Sequence, residues 1–150
     1  MDSTDRKIVN LLADNGDITA AEIGLRIGLS VPAINKRIAK LKQNKEILKT
    51  TIICDSEAVG KPVAAFIMIE IGSFDKNERF LEMVASDRDI LECYAVTGDY
   101  DYILKICASD IKAFENKVLD FKNAGIVKSH TVMCLREYKF EATPAADENL

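Results

Sequence analysis

Over the first fifty positions the apolar residues recur at helical spacing. Ile8, Leu11 and Leu12 fall at i, i+3 and i+4, which predicts a helix over about Thr4 to Asp14, broken by Asn15-Gly16-Asp17. Thr19-Ala20-Ala21-Glu22 has the form of a capping box, so a second helix begins at Ala20, with Ala20, Ile23 and Ile27 inward and Gly28 as its left-handed stop. Ser30 is placed to cap a third helix, where Pro32 is tolerated in the first turn and Ile34, Ile38 and Leu41 face the core. Helix, short glycine-containing turn and helix make a helix-turn-helix.

The pattern then changes period. Ile47 to Cys54 (ILKTTIIC) reads as an extended linking strand. From Pro62 the chain predicts a strand (Val63 to Ile71), a helix (Asp75 to Ser86, with Phe80, Leu81 and Val84 inward) and a strand (Ile90 to Val96). A turn at Gly98 and Asp99 leads to a strand (Asp101 to Ala108), a helix (Asp110 to Asn123) and a last strand (Val127 to Tyr138). Ile111, Phe114, Val118 and Phe121 form an apolar stripe fit to pack on a sheet. The order βαββαβ is the ferredoxin-like pattern, and the fold class is α+β. Two helices cover one sheet face; Ala65, Ile67, Ile69, Cys93, Leu104 and Ile106 are expected on the other, where a second copy of the chain would cover them.

With 48% hydrophobic and 29% charged residues among 150, the chain has the balance of a globular protein. It has no long apolar run and no signal pattern, so a cytoplasmic location without membrane contact is expected. Cys54, Cys93, Cys107 and Cys134 form no C-x-x-C pair and are expected as buried free thiols; the sole histidine, His130, reads as a polar strand residue. The net charge of −4 conceals an asymmetry: residues 1–50 hold nine basic and six acidic side chains, net +3, and residues 51–150 eleven and eighteen, net −7. Only the head is suited to a polyanion.

From Val31 to Lys45 there are five positive charges and no negative one. Lys36, Lys40 and Gln43 point away from the core line, with Ala33, Asn35 and Arg37 on its flanks. Cations neutralise phosphates, amides and guanidiniums read base edges, and alanine allows close approach to a groove. Ser30, Ala33, Asn35, Lys36, Arg37 and Lys40 are therefore the candidate contacts to double-stranded DNA.

Val96 to Lys105 (VTGDYDYILK) sets a glycine and two carboxylates between apolar runs. Asp99 could shape an Asx-type turn and Asp101 tune strand pairing. Equally, turn N–H groups could hold a carboxylate and a nearby Asp an ammonium, the two charges of an amino acid. A D-x-D metal enzyme lacks a nearby third acid, a nucleophile–base pair, a P-loop and a dinucleotide fingerprint, so neither enzymatic activity nor a metal or cofactor is expected.

Asp5-Arg6-Lys7-Ile8, Ile27-Gly28-Leu29-Ser30, Lys36-Arg37-Ile38-Ala39-Lys40-Leu41 and Val96 to Lys105, in that order, resemble the Lrp/AsnC family of prokaryotic transcription regulators. The resemblance implies a helix-turn-helix joined by a strand to an ACT-like (RAM) domain, a homodimer assembling to an octamer, and regulation of transcription under a small effector, usually an amino acid. It also implies an effector site at the contact between dimers, around Gly98, Asp99, Tyr100 and Asp101, with Ile111, Val132, Met133 and Cys134 at matching positions. The expected parts are a DNA-binding head (1–47), a linker strand and hinge (48–61), an effector-binding and dimerisation domain (62–142) and a loosely ordered tail (143–150). Family members usually have Gly and then an apolar residue after the recognition helix, and further on Gly-Tyr; Lys45-Glu46 and Lys49-Thr50 stand there, leaving Asn44 as the candidate left-handed residue.

Overall fold

Two capping boxes start the chain's first two helices in the computed structural model, which describes residues 1–147. In α1 (Ser3–Asp14) the Asp2 carboxylate accepts from the Asp5 N–H while the Asp5 side chain accepts from the Asp2 N–H. In α2 (Ala20–Ile27) Thr19 and Glu22 do the same, and Gly28 closes the helix at φ +80°. α3 (Val31–Gln43) starts at Ser30, whose hydroxyl makes no cap bond. Ile8, Ile23, Ile34 and Leu41 are fully or almost fully buried and hold the three helices together. Beyond α3 the left-handed residue is Lys45 (φ +58°) rather than Asn44 (φ −77°).

A second unit, Cys54–Tyr138, carries the sheet; residues 139–147 group with residues 1–53 in the first. Its elements are β1 (Val63–Ile71), α4 (Phe74–Ser86), β2 (Ile90–Ala95), β3 (Tyr102–Ala108), α5 (Ile111–Asn123) and β4 (Ile126–Met133). The sheet is antiparallel in the order β2-β3-β1-β4, the ferredoxin-like arrangement predicted from the βαββαβ pattern. α4 and α5 send Phe80, Phe114 and Phe121 onto one face, where they bury Ala65, Ile67, Ile69, Leu104, Ile106 and Ala108.

That packing reverses the expected faces. Ala65, Ile67, Ile69, Leu104 and Ile106 lie under the helices with Cys93 packed against them, so the uncovered face carries the other parity. Phe66 and Met68 of β1, Ile103 and Lys105 of β3, Glu92 and Tyr94 of β2, and Lys128, His130 and Val132 of β4 occupy it. Both parities of β1 are apolar, so alternation alone could not tell them apart.

Several boundaries differ for want of a partner. Residues 48–54 form no strand, and Leu48, Ile52 and Ile53 are exposed, because a β-rich stretch becomes a strand only against an edge. β4 stops at Met133 instead of Tyr138: the Cys134 N–H donates to Ala64 O, and β1 has almost no strand left to pair. Leu81 is 40% exposed while Met83 packs inward in its place. Of the four free thiols Cys107 is buried, Cys93 half-buried, and Cys54 and Cys134 are exposed. Residues 148–150 of the expected tail lie outside the described residues. Among the described residues no helix is long and apolar enough to cross a membrane.

Candidate nucleic-acid interface and effector site

Gly24 brings α2 against the turn that leads into α3. A β-carbon at Gly24 would lie 2.5 Å from the Leu29 carbonyl oxygen, and the Gly24 carbonyl itself accepts from the N–H groups of Gly28 and Leu29. With Ile23 and Ile34 at the buried seam, the opposite face of α3 is turned to solvent. Asn35, Lys36 and Lys40 are exposed there and Ala33 is half-buried; Ser30 is exposed at the helix start. Neither lysine is ion-paired among the described residues, so both ammonium groups are available to phosphates.

Arg37 does something else. Its Nη1 donates to Asp2 Oδ2 and to Asp5 Oδ1, each at 2.7 Å, so the guanidinium ties α3 to the first turn of α1. The Arg37 hydrogen bond holds the Asp2 carboxyl below its usual range, with the bond from the Asp5 N–H adding to it. The same contacts, Asp2 first and Asp5 second, raise Arg37. Asp5 is 8% exposed and lies against this cation. Arg37 was placed on a flank of the helix, and two acids more than thirty residues earlier draw it inward.

Sequence reasoning passed over Leu25 (86% exposed) and Val31 (42% exposed), which line one shallow cleft with Gly28 and Ser30 beside the basic face. Apolar side chains in that position suit thymine methyl groups. The signal was available: neither residue fits the buried line of Ile23, Ile34 and Leu41.

The effector candidates fall into two groups at opposite ends of the sheet. Strand register sets Tyr102 against Ile69, so the Gly98–Asp101 turn lies at one end of β1. Met133 pairs with Ala65 and the Cys134 N–H reaches Ala64 O, so Val132, Met133 and Cys134 lie at the other, where β3 ends at Ala108 and α5 begins at Ile111. Four strand residues separate the two groups, about 13 Å. One chain does not bring the eight residues together. Ile111, Val132 and Met133 are exposed by 62%, 46% and 37%.

At the turn, Gly98 sits at φ +113°, which L side chains rarely adopt. Asp101 knits the strand ends: its N–H donates to Ile69 O at 2.8 Å, its carbonyl accepts from Val96, and its Oδ2 accepts from the Ile71 N–H at 2.7 Å. That last bond lies where the β1–β4 register shifts, between Glu70 and Ile71. Asp99 is exposed and the Lys128 ammonium stands 4.6 Å above the Tyr100 ring. Of the two carboxylates, Asp99 is the freer to meet a cation.

Two family models match the chain. The AsnC-type helix-turn-helix domain covers residues 1–42 and the Lrp/AsnC ligand binding domain residues 64–144. An HTH-type transcriptional regulator of Pyrococcus horikoshii is 33% identical over 141 residues, 93% of this chain and 92% of that protein. The leucine-responsive regulatory protein of Klebsiella pneumoniae is 28% identical over 143 residues, 93% and 87% of the two chains. Among solved structures, a transcriptional regulator from Neisseria meningitidis in complex with L-Met superimposes with a TM-score of 0.90 at 29% identity, covering 99% of this chain and 97% of that one. An AsnC family transcriptional regulator from Agrobacterium tumefaciens gives 0.85 at 25% identity, with 96% of each chain covered.

Proposed function

Because the chain belongs to the Lrp/AsnC family of DNA-binding transcription regulators, we propose that it reads its operator through the solvent face of α3 and that an amino acid adjusts its assembly. The observation that carries the first part is the contrast within α3: Lys36 and Lys40 are exposed and without an ion pair among the described residues, with Asn35 beside them, while Arg37 is held against α1. Two lysines neutralise phosphates and fix register, Asn35 can bond an adenine edge, and Ala33 and Val31 allow close approach. Half-sites spaced by about one helical turn or a multiple follow if two copies present paired heads.

The second part rests on the split of the effector candidates. A site needing both the Gly98–Asp101 turn and the Ile111, Val132–Cys134 end is complete only when two copies meet, so occupancy and assembly are linked. The L-Met complex of the Neisseria meningitidis regulator supports an amino acid as the ligand class. Association through the uncovered sheet face, with Phe66, Met68, Ile103 and Tyr94 at its centre, builds the dimer, and octamers follow from the end-to-end contact.

Two measurements test this. Operator affinity measured against salt should lose about 1.8 from its log–log slope for each of Lys36→Ala and Lys40→Ala, about 0.9 per head. An unchanged slope in the double variant would mean that another face meets the duplex. A thermal-shift series with the twenty amino acids, methionine first, should raise the midpoint for at least one, with a parallel change in sedimentation. No shift for any of them would remove the sensing role and leave DNA binding in place.

A further inference from the structure

Residues 139–147 group with the DNA-binding unit, and Asn10 is one of the side chains that anchor them there. Asn10 of α1 donates from Nδ2 to Ala146 O at 3.1 Å and accepts from the Ala146 N–H at Oδ1 at 2.7 Å. A carboxamide that satisfies both backbone groups of one residue stands in for the edge of a neighbouring strand, and it grips main chain regardless of side chain. Asn is a poor choice for the middle of a helix unless its amide has such work. Ala146 is half-buried, and Pro144 just before it limits the freedom lost when the segment is held.

The other end of this segment leaves the sheet at Cys134, whose N–H makes the bond to Ala64 O. Residues 135–145 between the two anchors form no helix or strand, and Leu135 and Tyr138 are 96% and 87% exposed. We infer that residues 135–147 are a strap, clasped to α1 by Asn10, that gives the DNA-binding unit a second tether to the sheet besides residues 44–61 and so limits the orientations from which paired heads reach DNA. Asn10 is on this view a positioning residue for DNA recognition. The strap follows directly on Val132–Cys134, so it also joins one end of the effector candidates to the head. The inference rests on the paired-head reading above.

The test uses the full chain, Asn10→Ala and a chain ending at Glu141. Hydrogen exchange reads the clasp: the Ala146 amide should be protected in the wild type and exchange about tenfold faster in Asn10→Ala, the worth of roughly one to two neutral hydrogen bonds. Duplexes selected by the wild-type chain from a random pool are then rebuilt with altered half-site spacing, and shortened to a single half-site. Both variants should keep single-half-site affinity and helical content, while their preference for the selected spacing falls about tenfold. A fast Ala146 amide in the wild type, or a spacing preference untouched in both variants, would overturn the strap. Loss of single-half-site affinity together with helicity in Asn10→Ala would overturn it too, making Asn10 a folding residue only. A wild-type chain indifferent to spacing would instead sink the paired heads, and the strap's role with them.

Discussion

Lys45→Gly should stabilise the DNA-binding unit. α3 ends in a Schellman arrangement: the Lys45 N–H donates to Lys42 O at 3.1 Å and the Glu46 N–H to Leu41 O at 2.9 Å, after which Ile47 packs on the helical core. That closure needs a left-handed residue, and Lys45 supplies it at φ +58° with a β-carbon in place. The steric cost for an L residue there is about 1–2 kcal/mol. Glycine removes it but gains freedom in the unfolded chain, which returns about 0.4–1 kcal/mol. Removal of the ammonium also loses a weak attraction to the helix C-terminus, a change that Lys45→Ala shares. Comparing Gly with Ala at this position therefore isolates the backbone term, and Gly should be the more stable by about 1 kcal/mol. For a unit of this size that is a rise of about 4–8 °C in midpoint, followed by helical circular dichroism, with a matching rise in urea midpoint at constant slope. Lys45→Ala as stable as Lys45→Gly, or more so, would refute the left-handed assignment. DNA affinity should be the same in both.

Arg37→Ala should lower the melting midpoint of the first unit and leave the salt slope of DNA binding intact, whereas a slope reduced as much as in Lys36→Ala would return Arg37 to the phosphate-contacting face. Asp5→Ala, which removes a capping-box acid and the guanidinium's buried partner, should cost about 1–2 kcal/mol in urea unfolding. Lys61 donates to Asp89 at 2.8 Å and, with Lys117, holds that carboxyl below its ordinary value. Its contribution is thus full at neutral pH and lost as pH falls from about 5 through the depressed value. Lys61→Met should cost about 0.5–1 kcal/mol at pH 7 and flatten the acid limb of stability against pH; an unaltered limb would place the acid sensitivity elsewhere. Ile67→Ala should lose about 2–5 kcal/mol from the second unit, while Met68→Asp weakens self-association in sedimentation and lowers the midpoint only as far as dissociation requires, an ordering that the opposite sheet parity would reverse.

What could be read from residues alone depended on how local the deciding interaction was. Thr19 and Glu22 are three positions apart, so the cap they form was legible, and so were the helix stripes and the βαββαβ order. The sheet face was not. Ala65-Phe66-Ile67-Met68-Ile69 is apolar at every position, and the choice between parities is made by Phe80, Phe114 and Phe121 arriving from two helices. The ion pairs of Arg37 were illegible for the same reason, its partners Asp2 and Asp5 being local to α1 and remote from α3 in sequence. Ile47 to Cys54 shows the converse: β propensity was read correctly as residue type, yet the stretch pairs with no strand among the described residues.

The effector candidates add a geometric constraint that no pattern contains. Within one sheet, antiparallel register fixes the distance between a hairpin turn and the end of an edge strand, and four residues of β1 stand between them. No side-chain rotation closes that gap, since even a long side chain spans about half of it. Either the ligand touches one group only, or a second copy brings its Ile111, Val132–Cys134 end to the turn of the first. The two cases separate by variant. If one chain sufficed, Asp99→Ala and Ile111→Asp would differ, one abolishing amino-acid binding and the other leaving it unchanged. If two copies are needed, each variant alone abolishes binding, and mixing the two restores a fraction of the sites, because a turn from one variant can meet an intact Ile111 end from the other. Restoration on mixing, read by the ligand-dependent thermal shift, is the outcome the register requires; equal loss in the mixture would place both groups in one chain's pocket and contradict the strand pairing itself.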